Sequence, residues 1–221
     1  TVTPKASLRH FLNPDAVIYA RAARGSRAPQ VTDLYSVQSN QVAGAAEVET
    51  LDSLEVGFKR LVLGEELEVS AFTMWKDNFF FRNANGFNVT NGKTQHSGIE
   101  VRTSLDLSHW MTISGDATLA KHSYNFTLDQ GSPANNITDG DRVDTAPDTL
   151  ANIRLTLRPK DGAYAEIDWR HVGDYFTNPG NTNSYPGHDI FVLRGGLDIA
   201  DTVQIFSRVD NLFDTSYADR A

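Results

Sequence analysis

Residues 150–173 read LANIRLTLRPKDGAYAEIDWRHVG, and this stretch predicts two β-strands joined by a tight turn. The PKDG segment at residues 159–162 supplies the turn, because Pro presets φ and Asp-Gly provides a position with positive φ. Apolar residues occupy every second position of both strands: Ala151, Ile153, Leu155, Leu157, Ala163, Ala165, Ile167 and Trp169. The positions between them are polar or charged: Asn152, Arg154, Thr156, Arg158, Tyr164, Glu166, Asp168 and Arg170. Because strand side chains alternate between faces, the hairpin has one apolar face and one charged face.

The charged face of this hairpin carries both signs at matching heights, as the wet lumen of a membrane barrel does. A soluble sheet also alternates, but its polar face usually meets bulk water and carries many Ser, Thr and Lys residues. The hairpin alone therefore leaves a membrane barrel and a soluble antiparallel sheet open.

The composition excludes several classes of protein and of binding partner. The chain has 221 residues, of which 22% are charged, with a formal net charge of −8 and no Cys. The acidic balance argues against nucleic acid as a partner, and the lack of Cys excludes disulfides and thiolate metal sites. No run of 18 apolar residues predicts a transmembrane helix. A membrane β-barrel stays possible, because its lipid-facing residues occupy only every second position.

The alternation predicts ten strands, many of which have the ~9–11 residues that a tilted strand needs to cross a bilayer. The predicted strands cover residues 5–12, 16–23, 51–61, 67–80, 97–107, 110–123, the hairpin 150–173, 190–198 and 203–210. Short turns alternate strictly with long loops, which lie at residues 24–49, 82–95, 124–148 and 176–188. Outer-membrane barrels sort their loops in this way, whereas sandwiches and propellers do not. The pattern therefore favours an all-β, antiparallel, up-and-down transmembrane β-barrel.

The positions of the aromatic residues suggest two interfacial girdles. Trp110 and Tyr164 follow short turns, while Trp75, residues 79–81 and Tyr175 lie near the long-loop ends. Trp and Tyr concentrate at both interfaces of membrane barrels.

The alternation of loops also predicts where the chain enters and leaves the sheet. The first two strands share a short turn, and so do the last two, so both chain ends lie on the long-loop side. Barrels of this kind begin and end on the short-turn side, so we expect further strands at each end. About ten strands of a larger barrel are then present, and the chain is a fragment.

Several short motifs follow one another along the chain: GSRAP at residues 25–29 with DLY at 33–35, LEVGFK at 54–59, NGK at 91–93 with GIE at 98–100, and VDNLFD at 209–214 with Tyr217. In this order they resemble the TonB-dependent outer-membrane receptors. In that family the VDNLFD-like segment precedes the final barrel strand.

The resemblance implies a 22-stranded barrel with an N-terminal plug, which imports a scarce nutrient with energy passed on by TonB. Residues 1–221 are then a partial C-terminal barrel domain, and the plug domain and the final strand lie outside it. The implied location is the outer membrane of a Gram-negative bacterium. The implied partners are outer-membrane lipid, the TonB complex through the absent N-terminal region, and a nutrient ligand, most often a ferric siderophore.

Ligand contacts are expected in the external loops of such a receptor. A ferric siderophore is often anionic and aromatic, so Arg, aromatic, Gln and His side chains suit it. The candidates are Arg27, Tyr35, Gln38, Phe87, Tyr175, Tyr185 and His188. Each of them can instead serve an interfacial or loop-packing role.

Charged residues on the lumen side form a second set of candidates. They are Glu55, Lys59, Glu68, Glu100, Arg102, Asp106, Asp116, Arg154, Glu166, Asp168, Arg170, Arg194 and Arg208. We expect them mainly to form a solvated wall with mutual ion pairs; binding cargo or holding the plug is the alternative.

No motif in the sequence predicts an enzyme, a cofactor or a metal. GxSxG, HExxH, P-loop and dinucleotide fingerprints are absent. The acidic segment DGDRVD at residues 139–144 lacks EF-hand spacing, and the six His residues are scattered. An omptin-like protease needs clustered Asp and His at the external rim, for which only Asp174 and His188 can be argued. The alternatives to the receptor are a passive porin-like or adhesin barrel and a soluble antiparallel β-sheet binding module.

Overall fold

Ten strands pair side by side in one antiparallel sheet in this computed structural model, which describes residues 2–35, 46–62, 65–82 and 88–218. The strands are β1 (Lys5–Asn13), β2 (Ala16–Arg27), β3 (Glu49–Val62), β4 (Glu65–Arg82), β5 (Asn88–Ser108), β6 (Met111–Tyr124), β7 (Thr149–Lys160), β8 (Ala163–Val172), β11 (His188–Ala200) and β12 (Val203–Val209). A separate two-stranded hairpin consists of β9 (Tyr175–Phe176) and β10 (Ser184–Tyr185), and α1 covers Val31–Leu34. Among the described residues, no helix is long and apolar enough to cross a membrane.

Each strand of the sheet pairs with the next one along the chain, apart from the small hairpin inserted between β8 and β11. The described short connections contain two residues each, at residues 14–15, 109–110, 161–162 and 201–202. Gly162 has a φ of +73°, which explains the Gly in the turn that joins β7 to β8. In the described ranges β1 does not pair with β12, so the sheet is open. The predicted meander and its sorting of loops by edge are confirmed.

The two faces of the sheet differ as the alternation predicts. In the β7–β8 hairpin, Arg154 lies opposite Asp168 on one face and Ile153 lies opposite Trp169 on the other. We call these the polar face and the apolar face. Large apolar side chains stay uncovered on the apolar face; Val56 is 56% exposed and Leu119 is 63% exposed. Within the described ranges all the strands outside the small hairpin belong to this one sheet, so it is not one layer of a sandwich.

The strands β4 and β5 are longer than predicted. The sequence predicts a loop at residues 82–95, but β4 continues to Arg82 and β5 begins at Asn88. The Asn and Gly residues favour a loop by propensity, but cross-strand pairs such as Lys93 with Asp77 extend the ladder. Asn78, with a φ of +55°, lies where the register shifts.

The predicted loop at residues 24–49 is also shorter in the structure. β2 continues to Arg27 and β3 begins at Glu49, and these two residues pair across the strands. The predicted loop at 176–188 contains the β10 strand of the small hairpin.

The girdle assignment of Tyr164 is wrong. Its register places it on the polar face opposite Gly196, and its ring covers that glycine. Tyr19 covers Gly57 in the same way. A glycine leaves a gap on a strand, and a neighbouring aromatic ring fills it. Tyr175 likewise packs within the loops rather than at the membrane interface, because it is buried and pairs with Tyr185.

Candidate functional site

Asp168 is the centre of a charge network on the polar face. Its side chain is fully buried, and Arg154 donates to it from the neighbouring β7 strand at 3.2 and 3.3 Å. Arg194 of β11 donates to the same carboxylate at 2.8 Å, and Arg170 approaches within 3.7 Å. The strand register places Arg154 directly opposite Asp168, whereas Arg194 lies opposite Glu166 and reaches Asp168 diagonally on the same face.

A second network lies on the polar face of β2, β3 and β4. The Tyr19 hydroxyl is 2.6 Å from a Glu55 oxygen and 2.8 Å from a Glu68 oxygen. Lys59 donates to Glu66 at 2.5 Å and lies 3.8 Å from Glu68. Both networks join wall residues to each other, as the wall interpretation predicts.

The two loops at residues 125–148 and 173–187 pack together; we call them the joined loops. The carbonyl of Ala134 in the first loop accepts hydrogen bonds from the backbone N–H of Gly180 at 3.1 Å and from the side chain of Asn178 at 2.8 Å. The backbone N–H of Thr145 donates to the carbonyl of Phe176 at 2.8 Å. Ile137, which is 1% exposed, anchors the first loop through its burial. The joined loops therefore form one unit at the long-loop edge.

Arg142 is the main side-chain link between the joined loops. Its guanidinium donates to the carboxylate and to the carbonyl of Asp174, both at 2.9 Å, and pairs with Asp148 at 3.1 Å. It also lies 5.2 Å from the centroid of the Phe176 ring. The backbone of Arg142 exchanges two hydrogen bonds with the Asn181 side chain. One residue thus fixes both the position and the orientation of the second loop.

An aromatic cluster adjoins the joined loops. The ring centroids of Tyr175 and Tyr185 are 5.3 Å apart, and those of His188 and Tyr217 are 4.9 Å apart. The Tyr185 hydroxyl is 2.9 Å from Nδ1 of His188 and accepts from the backbone N–H of Ala218 at 3.2 Å. The segment that follows β12 therefore folds back onto the start of β11.

Three of the sequence-predicted ligand residues, Tyr175, Tyr185 and His188, come together in this cluster. Tyr185 connects the other two, through its ring to Tyr175 and through its hydroxyl to His188. Their proximity follows from the small hairpin, in which Tyr175 lies opposite Tyr185.

The other four candidates do not belong to the described cluster. Arg27 pairs with Glu49 at 3.0 Å, and its guanidinium lies 4.8 Å from the ring centroid of Phe80. Tyr35 is 61% exposed and follows α1. The positions of Gln38 and Phe87 lie outside the described residues.

Two residues of this region were not among the ligand candidates, Arg142 and Tyr217. Arg142 is the only Lys or Arg between residues 124 and 148, where the other residues are uncharged or acidic. This isolated positive charge is the feature by which the sequence distinguishes it. Tyr217 is part of the VDNLFD motif region, but its contact with His188 depends on how the chain folds back.

Carboxylates of the acidic segment at residues 139–144 accept hydrogen bonds from neighbouring protein groups. Asp141 accepts from the backbone N–H of Thr138 at 3.1 Å, and Asp144 accepts from the Tyr124 hydroxyl. Over the described ranges no three or more His, Cys, Asp or Glu side chains are grouped as a metal site requires.

The Asp174 and His188 side chains are also engaged with other groups. Asp174 pairs with Arg142, and His188 lies within hydrogen-bonding distance of the Tyr185 hydroxyl. These contacts give no support to a protease dyad.

Comparison with protein families gives a match over nearly the whole chain. A family model described as TonB dependent receptor-like, beta-barrel, matches residues 1–212. Among solved structures, the ferric-catecholate import receptor Fiu from K12 E. coli is similar, with a TM-score of 0.75 and 18% identity over 96% of this chain and 31% of that chain.

Two further structures have the same fold. The ferric yersiniabactin uptake receptor FyuA from Yersinia pestis has a TM-score of 0.78 and 15% identity, over 96% of this chain and 32% of that chain. The siderophore receptor PiuA from Acinetobacter baumannii has a TM-score of 0.78 and 15% identity, over 96% of this chain and 31% of that chain. This chain therefore spans about a third of the length of each of these three proteins.

Proposed function

Because this chain belongs to the TonB-dependent receptor-like β-barrel family, we propose that it is part of an outer-membrane receptor that imports a ferric siderophore or a related iron complex. The three similar structures are of a ferric-catecholate, a ferric yersiniabactin and a siderophore receptor. The proposed location is the Gram-negative outer membrane, and the proposed energy source is the TonB complex. In this proposal the protein moves its cargo and performs no chemistry on it.

The aromatic cluster beside the joined loops is the observation that carries the choice of cargo. Tyr217 is 45% exposed, so part of its side chain is available to a ligand. Aromatic faces and His N–H groups suit the rings and the negative charge of a ferric siderophore. Arg142 serves a supporting role, because its guanidinium already pairs with Asp148 and Asp174.

Growth under iron limitation tests the transport proposal. The full-length receptor is expressed in a Gram-negative strain that lacks its own siderophore receptors, and a panel of ferric siderophores is supplied. We expect at least one to restore growth, and only when TonB is present. Uptake that does not depend on TonB would instead support a passive barrel.

Substitutions in the aromatic cluster test the site separately from transport. Tyr185→Ala removes the ring that connects Tyr175 with His188, so we expect weaker binding of the ferric siderophore that restores growth. Loss of one stacked aromatic contact corresponds to about 0.5–1.5 kcal/mol, or roughly a two- to twelvefold change in Kd. Trp110→Ala is the control, since Trp110 lies in the short turn between β5 and β6, at the opposite edge of the sheet. Equal effects of the two substitutions would exclude the cluster as the binding site.

A further inference from the structure

A groove lies on the apolar face of β1 to β4, close to the long-loop edge, and has a volume of about 520 Å³. Ala6 and Ala22, which pair across β1 and β2, line the groove together with Leu54 of β3 and Trp75 of β4. The two alanine side chains end at Cβ, so they leave a depression beside larger neighbours. The groove therefore opens on the face that meets lipid in the proposed barrel.

The groove lies where the apolar residues on this face give way to charged ones. Two positions after Ala22 comes Arg24, and the residue opposite Arg24 on β3 is Asp52. Trp75 lies opposite Asp52 on β4. Trp and charged residues replace aliphatic ones in this way at the boundary between lipid tails and headgroups. The long-loop edge faces outside in outer-membrane barrels, so this boundary belongs to the outer leaflet.

Positive charge continues along the same boundary on β5 and β6. The apolar-face residues of β6 end at Leu119 and are followed by Lys121. From Met111 to Lys121 the strand rises about 25 Å at a tilt of about 40°, which is the height of an outer-membrane apolar band. Lys121 is exposed, and no ion pair joins it to a carboxylate of the described residues. Lys93 on β5 lies 3.8 Å from Asp77.

The strands farther from the groove differ at this boundary. On β7, β8 and β11 the apolar-face residues there are Thr149, His171 and Asp189, none of which is Lys or Arg. His171 and Asp189 lie 2.9 Å apart and pair with each other. An anionic headgroup in the outer leaflet therefore finds its counter-charge on the side of the groove.

Arg24 lines the polar end of the groove. Its Nε and Nη2 atoms donate to the two carboxylate oxygens of Asp52, both at 2.6 Å. This pair does not use Nη1, and the Arg24 side chain is 48% exposed. Guanidinium groups bind phosphate oxygens through charge-assisted hydrogen bonds. Arg24 can therefore stay paired with Asp52 and still donate to a phosphate.

We propose that this groove binds lipopolysaccharide, the phosphorylated lipid of the Gram-negative outer leaflet, with an acyl chain against Ala6 and Ala22 and a phosphate on Arg24. The chain supplies the dispersion contacts that an empty groove lacks. Lipopolysaccharide suits the site better than a phospholipid, because it occupies the leaflet at this edge and exposes several phosphates. The proposal rests on the proposed outer-membrane location and is independent of the cargo.

The test uses the full-length receptor in detergent, stripped of bound lipid. Lipopolysaccharide without O-antigen is titrated, and native mass spectrometry counts the molecules bound to each receptor. Ala22→Phe fills the groove with a ring, so we expect Kd to rise about tenfold, as for the loss of roughly two buried methylene groups. Ala20→Phe is the matched control, since Ala20 lies on the same strand and face but does not line the groove.

Two further substitutions separate phosphate binding from the ion pair. Arg24→Gln removes the cation, so we expect Kd to rise about tenfold, as for the loss of a hydrogen bond to a charged group. Asp52→Asn removes the same ion pair but leaves the cation, so we expect binding that is unchanged or tighter. Equal weakening by both substitutions would overturn the phosphate contact, because loss of the ion pair would then explain the result.

Heat-modifiable migration of outer-membrane fractions measures folding and location without reference to lipid binding. A receptor that is absent from the outer membrane would refute the proposed location itself. A receptor that is present there and binds lipopolysaccharide equally well with Ala22→Phe and with Ala20→Phe would overturn the groove alone. Phosphatidylglycerol that binds the wild type as tightly as lipopolysaccharide would also overturn the proposal, and this comparison requires no variant.

Discussion

Asp168 shows how a single side chain can hold three strands of the sheet together. It is buried, and it accepts hydrogen bonds from Arg154 on one side and Arg194 on the other. The arginine side chains are partly exposed to solvent, whereas the carboxylate is not. The network therefore depends most on the carboxylate. Removing its charge leaves Glu166, which is 3.7 Å from Arg194, as the remaining counter-charge for these arginines.

We therefore expect Asp168→Asn to destabilise the full-length receptor by about 1.5–3 kcal/mol, the value of hydrogen bonds to charged groups. The measurement is urea unfolding of the receptor folded in lipid vesicles. Asp210→Asn is the control, because the Asp210 and Arg208 side chains are 60% and 54% exposed. An exposed pair of this kind contributes about 0–1 kcal/mol. Equal losses would show that burial of Asp168 has no energetic consequence.

The adjacent glycines Gly195 and Gly196 provide a second test at the level of one residue. A Cβ at Gly196 collides with the Tyr164 ring, whereas a Cβ at Gly195 has its nearest neighbour, the Tyr164 carbonyl, at 3.5 Å. We expect Gly196→Ala to cost about 1–3 kcal/mol through overpacking and Gly195→Ala to cost less than that. The same vesicle unfolding assay compares them. A Gly196→Ala variant as stable as Gly195→Ala would contradict the packing of Tyr164 on Gly196.

Among the elements, the β7–β8 hairpin defines which face meets lipid. Ile153 lies on the apolar face, between Gly115 and Trp169, and Asn152 lies on the polar face opposite Asp116. A cation on the lipid face costs about 2–4 kcal/mol at the middle of the membrane. We expect Ile153→Arg to abolish assembly of the full-length receptor into the outer membrane and Asn152→Arg to be tolerated. Heat-modifiable migration of membrane fractions measures assembly, and equal effects would refute the assigned facing.

The order and facing of the strands could be predicted from the sequence because both follow from alternation and turn chemistry. The hairpin around Gly162 shows this, since its turn and its pairing of Arg154 with Asp168 are both local. The ends of β4 and β5 could not be predicted, because Asn and Gly in residues 82–95 favour loops whereas cross-strand pairing decides the outcome. The alternation predicts Tyr164 on the polar face, where the structure has it, so its position after a short turn is not evidence for a girdle residue.

The candidate site shows the same division between local and distant information. Tyr175, Tyr185 and His188 are close together along the chain, so their proximity in space is local information. The contacts of Arg142 depend on packing between two loops, which neither loop specifies alone.

At the scale of the whole molecule, the open sheet determines how this chain behaves on its own. β1 and β12 are free edges within the described sheet, and the apolar face is uncovered. Open edges and large apolar surfaces promote association. We expect residues 1–221, expressed alone in buffer without detergent, to aggregate, as size-exclusion chromatography with light scattering would show. A monodisperse monomer would contradict the membrane facing of the sheet.

The link that Arg142 makes between the joined loops also bears on how the proposed ligand-binding surface can be engineered. Asp174 and Asn181 lie in one loop and Arg142 lies in the other, so both loops contribute residues to the same set of hydrogen bonds. A chimera that takes only one of the two loops from another receptor loses the matching partners of these hydrogen bonds. If these loops bind the ligand as proposed, we expect ligand specificity to be transferred only when both loops are grafted together.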